Sequence, residues 1–192
     1  DTRYFNRRQI LALAALAFLL VAAKTLYFDR FDTLLKRQFN GNTVAAAEVP
    51  TQVNFGGEIN LLGYSLNHTR ATPGQFFDLT LYWQARQPLT TTYSALAQLV
   101  DDQNHLYAGH DTLHPGSLQT TQWQPWGFVQ DSHPVPVPPG TPPGDYFLVT
   151  GLYRPDTWAR LPVLAGGRPG WTDVFAIPVP VTKAERPPTL AE

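Results

Sequence analysis

The chain of 192 residues contains no cysteine and no methionine. The absence of cysteine excludes disulfides, thiolate catalysis, iron–sulfur clusters and cysteine-ligated haem. The absence of methionine predicts that Asp1 is not the translation start. A phosphate-binding loop, a dinucleotide fingerprint, a nucleophile elbow and a haem-attachment motif are also missing. We therefore expect no cofactor and no catalytic residue.

Basic residues are scarce after position 41. Residues 1–41 carry seven Lys/Arg and three Asp/Glu, whereas residues 42–192 carry seven and twelve. The acidic second part has no basic patch and no interleaved aromatic and basic pattern, so nucleic acid is not an expected partner. The basic first part suits the anionic headgroups of a membrane.

The longest apolar run extends from Ile10 to Ala23 and is preceded by Arg7 and Arg8. A helix needs roughly 20 apolar residues to cross a bilayer. If Lys24 extends its ammonium group to the headgroups, the apolar segment reaches Phe28. The sequence thus predicts a basic flank over residues 1–9 and a single transmembrane helix over residues 10–28, with the lipid bilayer as a partner. A cleaved secretory signal ending near Ala23 is the alternative.

Apolar residues at helical spacing predict an interfacial helix over residues 29–41, followed by a linker over residues 42–52. Small residues on one face of the transmembrane helix permit close packing against neighbouring spans. We therefore predict that four residues of these two helices contact other subunits of a membrane complex: Ala12, Ala15, Phe31 and Leu35.

All eighteen prolines and thirteen of the fourteen glycines lie at or beyond position 50. Apolar and polar residues alternate between Phe77 and Trp83, which is the period of a half-buried strand. A slip of the apolar phase near Gly63 indicates a β-bulge. Similar runs occur at residues 59–66, 93–101, 105–110, 128–135, 146–153 and 174–181. Seven or eight strands at this spacing predict a mainly β fold, an immunoglobulin-like antiparallel β-sandwich over residues 53–181, with a polar tail over residues 182–192.

The five tryptophans raise the question of a binding surface. Trp83 alternates with core positions and is predicted to be buried. Trp123 and Trp126 flank Pro125 in a loop, where they can cover the open end of the sandwich or contact a partner protein. Carbohydrate is a possible ligand if tryptophans are exposed, because sugars stack on aromatic rings.

The nearest candidate for a metal site is His110, Asp111 and His114. The following Pro115-Gly116 predicts a loop there, and no third ligand is evident, so we expect no metal. Three other histidines are predicted to be exposed polar residues: His68, His105 and His133. Asp101, Asp102 and Asn104 lack the glycine and distal glutamate of a calcium loop, and we interpret them as a hairpin turn.

Several phrases of the chain resemble a known module: Ile59-Asn-Leu-Leu-Gly-Tyr64, Leu79-Thr-Leu-Tyr-Trp-Gln-Ala85, Gln98-Leu-Val-Asp101, Pro143-Gly-Asp-Tyr146 and Gly151-Leu-Tyr-Arg-Pro155. They are similar to the C-terminal β-sandwich, with its preceding last membrane span, of glycosyltransferase-like membrane proteins of filamentous green (Chloroflexus-type) bacteria. The resemblance implies fold and lineage. It implies no catalytic residue here, because that family's chemistry resides in loops between earlier spans.

These features predict a non-catalytic, single-span accessory subunit of a larger bacterial membrane complex, such as an electron-transfer or photosynthetic assembly. The β domain would cover the extramembrane face on the periplasmic or extracellular side. Two alternatives stay open: a membrane-anchored carbohydrate-binding module, and the C-terminal part of a glycosyltransferase. An enzyme that uses His110, Asp111 and His114 requires those side chains to converge in a pocket.

Overall fold

A computed structural model describes residues 7–23, 39–168 and 171–183. The chain divides into two compact units, Asp1–Asn40 and Gly41–Glu192. The first unit contains the helix α1 (Arg7–Ala23). The described part of the second contains nine strands: β1 (Val49–Phe55), β2 (Ile59–Leu66), β3 (Phe76–Ala85), β4 (Ser94–Val100), β5 (Leu106–Gly109), β6 (Val129–Pro136), β7 (Gly144–Tyr153), β8 (Val163–Ala165) and β9 (Phe175–Val181).

Helix α1 is apolar on every face from residue 11 onward. Its sequence carries no charged residue between Arg8 and Lys24. Leu13, Leu16 and Phe18 are each more than half exposed. Among the described residues, no helix combines the length and hydropathy needed to cross a membrane. The rest of the predicted span, residues 24–28, lies outside the described residues, as do Phe31 and Leu35 of the predicted interfacial helix.

The strands form two antiparallel sheets, so the prediction of a mainly β fold is confirmed. The five-stranded sheet has the order β6-β3-β2-β1-β8, and the four-stranded sheet has the order β5-β4-β7-β9. The chain crosses between the sheets five times, from β3 to β4 and then at every connection from β5 to β9. Seven strands coincide with predicted runs, whereas β1 and β8 were not predicted.

The core lies between the sheets, where alternate residues of each strand face inward. Trp83 is fully buried there, as predicted. Its ring meets that of Phe55 edge to face, with 5.5 Å between the centroids. The indole N–H of Trp83 has no hydrogen-bond partner among the described residues, which costs roughly 1–3 kcal/mol. Packing of the large ring outweighs that cost, since burying an aromatic side chain removes about 150–250 Å² from water.

A predicted bulge near Gly63 is confirmed, because the register between β2 and β3 shifts between Leu61 and Gly63. A Cβ atom at position 63 would lie 2.7 Å from the Cβ of Ala47 and 2.8 Å from the carbonyl oxygen of Val49. Glycine is therefore required for the close approach of the preceding chain. Residues 41–48, here called the N-terminal strap, use this space to lie on the outer face of the five-stranded sheet.

The N-terminal strap is fixed by side-chain hydrogen bonds. The Tyr82 hydroxyl and the Ser65 hydroxyl both donate to the carbonyl oxygen of Ala46, at 3.1 and 3.0 Å. Val44 is buried. The predicted linker over residues 42–52 is therefore corrected: its first part is packed on the sheet, and its last residues belong to β1, which begins at Val49.

All four sheet edges resist pairing with another chain. The edge strands β5 and β8 have only four and three residues. The edge strands β6 and β9 each carry two prolines, at positions 134 and 136 and at positions 178 and 180. Proline has no N–H to donate to a further strand. The edges of both sheets therefore disfavour the addition of a further strand.

One hydrogen bond ties the start of β7 to the chain before it. The buried Tyr146 donates its hydroxyl to the carbonyl oxygen of Pro142 at 2.8 Å. Burial, with a further contribution from the neighbouring Tyr107 hydroxyl, raises the pKa of Tyr146 to about 12. A tyrosine that bonds back to the chain just upstream is a feature of immunoglobulin-like sandwiches.

Candidate functional site

Two ionisable side chains lie in the core at β6. The inward face of this strand carries Val129, Asp131, His133 and Val135, and both Asp131 and His133 are buried. The prediction that His133 is an exposed polar residue is therefore wrong. The same period-2 pattern that located the strand also placed His133 on its inward face, so the signal was present in the sequence.

The imidazole of His133 is held at both nitrogens. Its Nε2 lies 2.7 Å from Oδ2 of Asp131, and its Nδ1 lies 2.8 Å from the carbonyl oxygen of His110. A carbonyl oxygen only accepts, so Nδ1 carries a proton. Both ring nitrogens therefore face oxygen atoms at hydrogen-bonding distance, which fixes the orientation of the ring.

The carboxylate of Asp131 receives two further donors from the loop that joins β5 to β6. The Thr112 hydroxyl donates to Oδ2 at 3.1 Å, and the Gly116 N–H donates to Oδ1 at 3.1 Å. Gly116 has φ of 65°, a left-handed conformation that favours glycine. The loop is thus shaped around the buried carboxylate.

The histidines of the predicted metal candidate are placed differently from one another. The Nδ1 atoms of His110 and His133 are 3.4 Å apart, and their rings meet edge to face. His114 is exposed and precedes a short 3₁₀ turn. Within residues 7–23, 39–168 and 171–183, no group of three His, Cys, Asp or Glu could hold a metal ion. Of the two histidines, His110 thus lies beside the buried Asp131–His133 pair, whereas His114 faces solvent.

Asp111 is the neighbour of this cluster on the solvent side. Desolvation raises the pKa of its carboxyl group, while a hydrogen bond from Tyr153 and the charges of His133, Arg160 and His110 act in the opposite direction. The Tyr153 ring is stacked on Trp158, with 5.3 Å between the centroids and 8° between the planes. Asp111 and Tyr153 thus connect the loop to the outer face of the four-stranded sheet.

The predicted calcium candidate forms a turn, as we interpreted it. Oδ1 of Asp101 accepts hydrogen bonds from the N–H groups of Gln103 and His105, at 3.0 and 2.8 Å. Asp102 and Asn104 are exposed, and Asn104 has φ of 65°. The carboxylate of Asp101 therefore accepts hydrogen bonds from backbone N–H groups of the turn that it begins.

A groove crosses the outer face of the four-stranded sheet. Its volume is about 480 Å³, within the range of roughly 300–1,000 Å³ typical of small-molecule sites. Hydrogen-bonding side chains and one indole line it together: Gln98, Asn104, Arg160, Trp171 and Asp173. Nη1 of Arg160 donates to Oδ2 of Asp173 at 3.2 Å. The lining combines an indole with polar groups, and no sequence motif indicates this groove.

The apolar floor of this groove is a second, smaller core. Val149 and Val174 are buried there together with Leu96 and Tyr153. Trp171 packs edge to face against Phe147, with 5.5 Å between the centroids. The guanidinium of Arg168 lies 4.2 Å from the centre of the Phe147 ring. The segment before β9 therefore covers an apolar strip that would otherwise face water.

The remaining predicted contact residues differ in their exposure to solvent. Trp123 is buried and belongs to the main core. Trp126 is exposed. Ala12 and Ala15 lie on α1 and are exposed within the described residues.

No protein-family model matches this chain, and no curated protein matches it. The resemblance to the sandwich of glycosyltransferase-like membrane proteins thus stays a prediction.

We expect Asp131→Val to destabilise the fold by about 3–5 kcal/mol, because it leaves the buried imidazole of His133 without its carboxylate. The double variant Asp131→Val/His133→Leu should be less destabilised than the single one, since it removes both buried polar groups. The exposed Asp145→Ala on β7 is the control and should change stability by less than about 0.5 kcal/mol. Denaturant unfolding of the full chain in detergent, followed by tryptophan fluorescence, measures all three. A single variant as stable as the control would contradict a structural role for the pair.

Proposed function

We propose that this chain is a non-catalytic, single-span accessory subunit of a bacterial membrane complex, with an immunoglobulin-like sandwich on the periplasmic or extracellular side. The observation that carries the proposal is the exposed apolar surface of α1. A helix that is apolar on every face is buried in lipid or among other helices. Soluble proteins do not leave such a surface in water.

The length of α1 bears on how it is embedded. Its 17 residues span about 25 Å at 1.5 Å per residue, a few ångströms less than the hydrocarbon thickness of about 30 Å. Local thinning of the bilayer or apolar residues beyond Ala23 make up the difference. Ala12 and Ala15 give the helix a small-residue face for neighbouring spans.

A non-catalytic role is supported by the polar groups of the sandwich. The buried pair Asp131 and His133 uses its hydrogen-bonding capacity on Thr112, Gly116 and His110. The prolines and short strands at the sheet edges favour a self-contained cover over a surface that grows by strand addition. An electron-transfer or photosynthetic assembly is the host we propose from the lineage that the resemblance implies.

Charge placed in the middle of α1 should release the chain from membranes. We expect Leu16→Arg/Leu20→Arg to lose most of its membrane association, since arginine at the centre of a span costs about 2.5–3.5 kcal/mol. Flotation and alkaline carbonate extraction of cell membranes measure the bound fraction. Leu106→Arg, at an exposed leucine of β5, is the matched control and should stay in the membrane fraction. Equal release of both variants, or of neither, would contradict anchoring by α1.

A second candidate function, carbohydrate binding, is favoured by the groove around Trp171. An indole face beside the amide of Gln98 and the carboxylate of Asp173 offers stacking and hydrogen bonds to a sugar ring. We expect Trp171→Ala to abolish retention on a glycan array if this function is correct. Phe76→Ala, an exposed aromatic on the other sheet, is the control. If the unmodified chain retains no glycan, the groove is not a sugar site.

A further inference from the structure

The loop between β5 and β6, residues 110–128, presents three large apolar side chains to solvent. Leu113, Leu118 and Trp126 are 59%, 47% and 80% exposed. Single exposed apolar residues are ordinary on a protein surface. Three in one loop, with Trp126 almost entirely in water, indicate a surface that is covered when the protein is in place.

This exposure belongs to a fixed loop. Gly116 is held by Asp131, as described above. Thr120 is buried, and its hydroxyl accepts from the Tyr93 N–H at 2.9 Å and donates to the carbonyl oxygen of Thr91 at 3.1 Å. Trp123 is packed in the core. The loop therefore cannot turn its apolar side chains inward without breaking buried hydrogen bonds.

The same loop lies where the chain enters the sandwich. The side-chain amide of Gln84, near the end of β3, donates to the carbonyl oxygen of Pro125 at 3.0 Å and to that of Gly41 at 3.4 Å. Gly41 is the first residue of the sandwich unit, and Trp126 directly follows Pro125. The chain leaves at the opposite end, where the Thr182 N–H donates to the carbonyl oxygen of Ala71.

We propose that this end of the sandwich rests on the lipid bilayer, with Leu113, Leu118 and Trp126 in the interfacial layer. The inference rests on the proposed membrane anchoring, because it takes the chain that enters at Gly41 to come from an embedded α1. Seventeen residues, 24–40, separate α1 from Gly41, and the entry end is the end of the sandwich to which this segment attaches. Tryptophan combines a large apolar ring with one N–H donor and is enriched at membrane interfaces.

The absence of cysteine makes a direct test simple, because each introduced thiol is the only one in the chain. Nitroxide labels are placed on Leu113→Cys, Leu118→Cys and Trp126→Cys in the full chain. The controls are Phe76→Cys and Leu106→Cys, two exposed apolar positions at the opposite end of the sandwich. The labelled chains are reconstituted in phosphatidylcholine–phosphatidylglycerol vesicles, and flotation is run on the same samples.

Power saturation then compares collisions with oxygen, which concentrates in lipid, and with a water-soluble nickel chelate. We expect a several-fold higher oxygen-to-nickel ratio at positions 113, 118 and 126 than at positions 76 and 106. Chains that float but show the same ratio at all five positions would overturn the lipid contact and leave the anchoring intact. Loop labels shielded from both reagents would also overturn it, since that pattern indicates contact with protein. Chains that do not float would instead contradict the anchoring by α1.

Discussion

The carboxylate of Asp131 has to be satisfied inside the sandwich, because the alternation of β6 places it on the inward face, between Val129 and His133, and directs it away from water. An unpaired buried carboxylate would cost several kcal/mol. His133 supplies one partner from the same strand, and the loop supplies Thr112 and Gly116. That requirement fixes the path of the loop. Its exposed apolar residues are consequently held at one end of the domain.

This arrangement links the core to the proposed role. The chain enters the sandwich beside the loop, through the N-terminal strap. This strap can pack on the sheet because position 63 is glycine and has no side chain. An apolar helix precedes that strap by a short segment. The proposed role requires a fixed point of entry and a fixed surface next to it. The strap supplies the first feature and the Asp131 cluster the second.

Much of the sandwich could be predicted from local pattern. Strand β2 matches its predicted bounds, Trp83 is buried, and the bulge at Gly63 follows from a visible slip in the apolar phase. Local pattern does not indicate β1, because Val49–Phe55 begins with exposed residues and contains a proline. Pairing with β2 and β8 stabilises this strand instead. The groove around Trp171 joins residues more than 70 positions apart, so only the tertiary fold could reveal it. The polar side chain of His133 favours solvent, whereas the strand phase directs it inward, and the inward position is stabilised by the buried carboxylate of Asp131.

Native electrophoresis of mildly solubilised source membranes, with mass spectrometry of the proteins that co-migrate, tests the central claim most directly. The account predicts that the chain migrates in a large complex together with other integral membrane proteins. It further predicts that bulky replacements of the small residues Ala12 and Ala15 on α1 shift the chain out of that complex while it stays in the membrane. Migration of the unmodified chain alone, near its own mass of 21.4 kDa plus detergent, would contradict a subunit role.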